Sequence, residues 1–306
     1  MKQLLKSILP LFIALPHATA CGGDDDDVEV IVNKKINRND VSTEPALQRL
    51  EFPRVRGGNS RVIIHTTNDQ YGINYSVEWD CDKKSQRWSC YQMTATNRVA
   101  NTKRYYPDAG KGETQYPNDP ALPSQYYYDG DPFRGSGYDH GHICPSADRL
   151  YSVDANVQTF YLTNMQPQLH VFNAGIWEKM EEKLRSWLST GSKSEDTLYV
   201  CKGGTIDAVP GGIEKPLLET LQNGLPVPRY FFMALLRKSK TGYKALAFWV
   251  EHSSDDRSND ALGNYVISVR ELERLTGIDF FCNLPDDIEN EVETTTVENI
   301  KWLWGL

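Results

Sequence analysis

The sequence predicts an α+β fold: a mixed, mainly antiparallel β-sheet core that carries a ββα motif, with flanking helices. Three observations point there. β-branched and aromatic runs recur along the chain with turn residues between them, as at 62–66, 73–79, 88–93, 230–236 and 243–250. Several of these runs follow one another directly, instead of alternating with helices as a parallel βαβ sheet requires. Helical spacing of apolar residues is confined to a few segments, chiefly 173–188. The chain shows no internal repeats, no Walker loop and no dinucleotide fingerprint.

At 306 residues, with 40% hydrophobic and 11% aromatic content, the chain supports a packed core and is not globally disordered. Its start is a separate segment. Lys2 and Lys6 precede a largely apolar run from Ile8 to Leu15, then Ala18-Thr19-Ala20, the pattern of a secretory signal peptide over residues 1–20. Cys21 at that place suggests an exported bacterial lipoprotein, held through a lipid on Cys21 to the outer membrane or cell surface. Residues 21–58, with Asp24 to Asp27 and the end Phe52-Pro-Arg-Val-Arg-Gly-Gly58, read as that lipidated cysteine and an acidic tether with little fixed structure. The folded domain is expected over 59–306. No other run is apolar enough to span a bilayer.

The net charge of −8 is unexpected for a protein that holds nucleic acid. Location matters more than the total. Asp286, Asp287, Glu289, Glu291, Glu293 and Glu298 stand against Lys301 alone near the C-terminus, which leaves the rest of the domain near neutral and able to carry a local basic groove. Export makes disulfides expected. Cys81 and Cys90 flank Lys83–Arg87 in strand-like sequence and are expected to close a hairpin; of Cys144, Cys201 and Cys282, one is left over or pairs elsewhere.

Taken in order, the first three runs read as consecutive antiparallel strands, and His65 within the first reads as a packed histidine. Residues 101–137 hold five prolines and form a long loop. Tyr126, Tyr127 and Tyr128 in it are expected to pack, while Arg104 and Arg134 are candidates for phosphate contacts. Thr197–Cys201 reads as a buried strand ending at Gly203-Gly204. The runs at 230–236 and 243–250 are joined through Arg237–Gly242 as a hairpin. Ser268-Val-Arg-Glu271 is a capping box for a helix that Gly277 ends, followed by a short acidic helix.

The chemistry concentrates between Tyr138 and Arg185. Asp139-His140-Gly141-His142 is strand-like, and a glycine there marks a bulge or a close backbone approach that can tip an imidazole into a cleft. Thr159-Phe-Tyr-Leu-Thr-Asn164 reads as a second strand. Asn173 is expected to cap a helix with Ile176, Trp177, Met180, Leu184, Trp187 and Leu188 on one face. The result is a ββα unit that presents an imidazole and an amide oxygen.

Asp139-His140-Gly141-His142, followed by Asn164, Asn173, Trp177, Glu181 and Arg185 with Pro167-Gln168 between, resembles the DNA/RNA non-specific endonuclease family, a group with a ββα-metal core. That family carries an Asp-Arg-Gly-His motif and an Asn-(x)8-Asn-(x)3-Trp-(x)3-Glu-(x)3-Arg run, so His140 stands where arginine is usual. The likeness covers about residues 60 to 290. It implies a sequence-non-specific endonuclease acting on DNA, RNA or both, dependent on Mg2+ (or Mn2+ or another divalent cation), and leaving 5′-phosphate and 3′-hydroxyl ends.

In that reading His142 is the general base, because neutral imidazole takes a proton from water near neutral pH. Asn173 holds the metal through a hard amide oxygen, and waters around the ion reach Glu181. Arg185 sits near the phosphate, Asn164 braces the site, Asp139 belongs to the motif, and His140 lends a titrating charge to phosphate binding. Two other readings remain open at this point. One is zinc held by His140, His142 and Cys144 on one strand face; the other is a surface lipoprotein that keeps the scaffold for binding only.

Overall fold

The computed structural model describes residues 38–188 and 196–306, all within one unit, Lys35–Leu306. The expected signal peptide, the Cys21 anchor and the first part of the tether lie outside the described residues. Among the described residues no helix is long and apolar enough to cross a membrane.

Strand alternation builds the frame. In chain order the elements are β1 (Ser60–Thr66), β2 (Ile73–Asp80), β3 (Ser85–Thr94), β4 (Asp139–His142), α1 (Val153–Gln158), β5 (Met165–Gln168), α2 (His170–Phe172) and α3 (Glu178–Ser186). There follow β6 (Thr197–Gly204), β7 (Leu217–Thr220), β8 (Pro226–Pro228), β9 (Tyr230–Ser239), β10 (Gly242–Glu251), β11 (Val266–Ile267), α4 (Val269–Thr276), α5 (Asp286–Glu293) and α6 (Val297–Trp304). A seven-stranded sheet runs in the order β1-β2-β3-β6-β9-β10-β11, every pairing antiparallel. The α+β expectation holds.

The central strands are apolar on both faces because both are covered. On β9, Phe231, Met233 and Leu235 face one cluster with Val77, Tyr91, Trp177 and Met180. Phe232, Ala234 and Leu236 face the other, with Trp88, Val269, Leu272 and Val292. The first face carries the β4–β5 hairpin and α3; the second carries α4 and α5. As the sequence implies, Ser268 Oγ accepts from the Glu271 amide to start α4, and Gly277 ends it in the left-handed region at φ 65°.

Four expectations are corrected. Residues 38–58 are not loose throughout: Phe52 is fully buried edge-on against Trp88, and the Asn39 side-chain oxygen accepts from the Val55 amide. The second strand of the ββα unit is Met165–Gln168, not Thr159–Asn164, which instead forms turns that bury Phe160 and Leu162. Asn173 is not a helix cap. The helix already starts at His170, and Asn173 opens a π-helical turn, Asn173–Trp177, kinked at Gly175 before α3. Finally, no disulfide joins Cys81, Cys90, Cys144, Cys201 or Cys282. Asp80 pairs with Ser85 across the β2–β3 turn whereas Cys90 stands beside Ser76, so Cys81 and Cys90 are about five rungs, roughly 15 Å, apart along the ladder.

Candidate active site

The β4–β5 hairpin and the π turn that follows it place most of the candidates around one cleft. β4 pairs with β5 so that Gly141 faces Gln166 and His142 faces Met165. Gly141 is required by packing: a Cβ there would lie 2.4 Å from the side-chain carbon of Gln168. Beyond the strand the chain is tied by Asn164, fully buried, whose Oδ1 accepts from the Cys144 amide at 2.9 Å. Its Nδ2 donates to the carbonyls of Cys144 and Thr159, each at 2.8 Å. Asn164 is therefore a brace for the turn that follows His142.

The cleft is about 460 Å³ and is lined by His142, Asp139, His140, Asn173, Glu181 and Arg185 together with Arg104, Tyr116, Ser146 and Glu178. His142 Nδ1 lies 3.3 Å from the His140 carbonyl. A carbonyl only accepts, so Nδ1 carries the hydrogen and Nε2 keeps the lone pair. That Nε2 is buried and has no hydrogen-bond partner. Burial, then the charge of Arg104, push the ring's pKa down to about 3, so it is neutral at working pH.

Asn173 Nδ2 donates to Asp139 Oδ2 at 3.0 Å, and His170 Nδ1 reaches the same oxygen at 2.9 Å. The amide is thereby oriented with Oδ1 left for another partner. Glu181 Oε1 receives Lys202 Nζ at 2.5 Å, and Lys202 also lies 4.8 Å from the Trp177 ring centre. Burial raises the Glu181 carboxyl and Lys202 opposes that rise. Arg185 Nη1 is 3.2 Å from Asp148 Oδ1, while Arg104 donates to Ser146 Oγ and lies over Phe160.

Several expected roles change. His140 is sandwiched between Tyr116, 3.6 Å away and parallel, and Phe133, 4.4 Å away, with Nε2 at 3.0 Å from Asp131. Burial lowers its pKa despite Asp131, so it offers no charge at neutral pH. A zinc site of His140, His142 and Cys144 does not form: β4 ends at His142, His140 faces Asp131, and Cys144 is fully buried with its thiol pushed up to about 12 by burial. Glu181 and Arg185 do not pair with each other: Glu181 takes Lys202 and Arg185 takes Asp148, both buried. Tyr127 and Tyr128 pack as expected, donating to the Asp119 and Lys84 carbonyls, and His65 packs against Asp119. Arg134 is exposed and is not among the cleft residues.

Lys202, Asp131, Asp148 and Tyr116 were not singled out from sequence. Lys202 left a signal: it shares a strand face with Leu198 and Val200, and a lysine pointing into a core needs a partner there.

A sequence profile described as DNA/RNA non-specific endonuclease matches residues 58–287. The chain is 28% identical over 226 residues to a nuclease of Nostoc sp. (strain PCC 7120 / SAG 25.82 / UTEX 2576), covering 72% of this chain and 75% of that one. It is 26% identical over 230 residues to the mitochondrial nuclease EXOG of Xenopus laevis, covering 74% of this chain but 61% of that one, less than two thirds of that relative's length. The solved EndoG/EndoGI complex superposes with a TM-score of 0.60 at 18% identity, covering 79% of this chain and 94% of that one; that likeness is one of fold.

Proposed function

Because the chain belongs to the DNA/RNA non-specific endonuclease family, we propose that it is a divalent-cation-dependent endonuclease hydrolysing phosphodiester bonds of DNA, RNA or both without regard to sequence. The observation that carries the reading is the unpartnered Nε2 of neutral His142 at the wall of a cleft shared with Asn173, Glu181 and Arg185.

The residues suit a hard divalent cation, Mg2+ or Mn2+. Asn173, its amide nitrogen engaged by Asp139, has an oxygen to give, and Glu178 and Glu181 line the same cleft. Few protein ligands fit an ion that keeps most of its waters. When bound, the ion supplies charge neutralisation at phosphorus and acidity for the leaving 3′ oxygen.

The chain's own groups do the rest. His142 Nε2 takes a proton from the attacking water; the low pKa of its ring rises when an anionic phosphate enters beside it. Arg104 and Arg185 bind phosphate oxygens, Arg185 steadied by Asp148. Lys202 keeps Glu181 in place and favours its ionised form. Phosphate-directed contacts read no base, which accounts for breadth of substrate. The expected ends are 5′-phosphate and 3′-hydroxyl. We also propose export with a lipid on Cys21, tested by membrane fractionation of wild type against Cys21→Ser.

The test is cleavage of supercoiled plasmid and of single-stranded RNA with Mg2+, Mn2+ or EDTA, followed by kinase labelling of product ends. Cleavage lost in EDTA, with ends labelled only after phosphatase treatment, supports the proposal. Undiminished cleavage in EDTA, or none with either cation, overturns it.

A further inference from the structure

On the sheet face away from the catalytic cleft, α4 and α5 pack through Val269, Leu272 and Val292 against Phe232 and Ala247. Glu273 of α4, Glu293 of α5 and Asp279 between them converge, one oxygen from each lying within 4.8 Å of the others. Oxygens bound to one calcium at 2.3–2.6 Å stand at most roughly 5 Å apart, so this spacing suits a single ion. Magnesium demands a strict octahedron at ~2.1 Å and keeps most of its waters, so a cage of several protein carboxylates is more characteristic of calcium.

Convergent carboxylates alone prove little. The second observation is Glu293 Oε1: the residue is 1% exposed, and this oxygen is buried with no hydrogen-bond partner. Arg270, itself about half exposed, does not meet that need. It takes the other oxygen of each glutamate, Glu293 Oε2 at 2.9 Å and Glu273 Oε2 at 3.2 Å. Glu273 Oε1 accepts from the Phe280 amide at 2.9 Å.

We propose that Glu273, Asp279 and Glu293 form a calcium site that fastens α4 to α5, separate from the catalytic cation. Burial and the repulsion of Glu273 and Glu289 keep the Glu293 carboxyl well above the usual carboxylate range, with Arg270 opposing and Asp279 adding to the rise.

The test is calorimetric titration of CaCl2 into the full chain, with thermal melting alongside. Asn173→Ala, which lacks the catalytic ligand, is expected to keep this calcium site. Glu293→Gln is expected to lose it, together with the calcium-dependent rise in Tm, while its Mg2+-supported nuclease rate stays at the wild-type level. Asp279→Asn is expected to weaken calcium by at least about tenfold, and decides the matter if Glu293→Gln does not fold. Calcium affinity unchanged in Glu293→Gln or Asp279→Asn, or no calcium site in Asn173→Ala, overturns the proposal and leaves the carboxyls sharing a proton.

Discussion

Replacing Lys202 by methionine probes the charge that no sequence motif announces. Lys202 is fully buried and its ammonium lies 2.5 Å from Glu181, whose side chain is 12% exposed. Methionine keeps the packing on Trp177 but leaves a carboxylate in a site where burial already raises its pKa. Removing one partner of a buried pair costs about 3–5 kcal/mol, chiefly the penalty of the charge left behind. For a chain of this size that is a fall in Tm on the order of 10 °C. The sign with pH follows from Glu181. With its folded pKa raised further, its contribution to stability is complete below the unfolded value, about 4.3, and is lost as pH rises through the raised one. The deficit of Lys202→Met should therefore shrink towards pH 4 and be largest at neutral pH. Lys202→Met combined with Glu181→Gln should recover most of the loss, which a double-mutant cycle by chemical unfolding reads directly. A single mutant within about 0.5 kcal/mol of wild type, or a strictly additive double mutant, would refute the pairing argument.

Asn173→Ala should raise the Mg2+ needed for half-maximal activity and cost about 1 kcal/mol through the lost bond to Asp139, not through a cap; an unchanged metal titration would remove Asn173 as a ligand. His140→Arg should lower Tm by breaking the stack with Tyr116 and Phe133. Because burial keeps His140 neutral at pH 7, it should also leave the alkaline limb of kcat/KM superimposed on wild type; a flattened limb would restore a charge-carrying role. Gly141→Ala should cost about 1–3 kcal/mol, since the new methyl must displace Gln168, and a melt unchanged from wild type would contradict the packing.

Much of the frame is readable because it is local. Alternation and β-branched runs mark β1, β2, β3, β6, β9 and β10, and Ser268 with Gly277 brackets α4. The errors fall where tertiary context decides. Thr159–Asn164 has strand-like composition yet turns to bury Phe160. The true strand contains Pro167, tolerated because β4 and β5 form a two-stranded ladder with no central position to interrupt. A π turn has no signature of its own, so Asn173 reads as a cap while it works through its contact with Asp139. The candidate residues are legible as a spaced set; the partners Lys202 of Glu181 and Asp148 of Arg185 lie far along the chain and depend on the fold to meet them, and Asp131, though nine residues from His140, sits in a loop whose course no local pattern sets.

The central claim is that Nε2 of His142 is the base. Its direct test is single-turnover cleavage of a defined duplex by His142→Ala in saturating Mg2+, with folding checked by circular dichroism. The account predicts a fall in rate on the order of a thousandfold or more with an unchanged spectrum and melt. A well-folded His142→Ala that cleaves within about tenfold of wild type would contradict it.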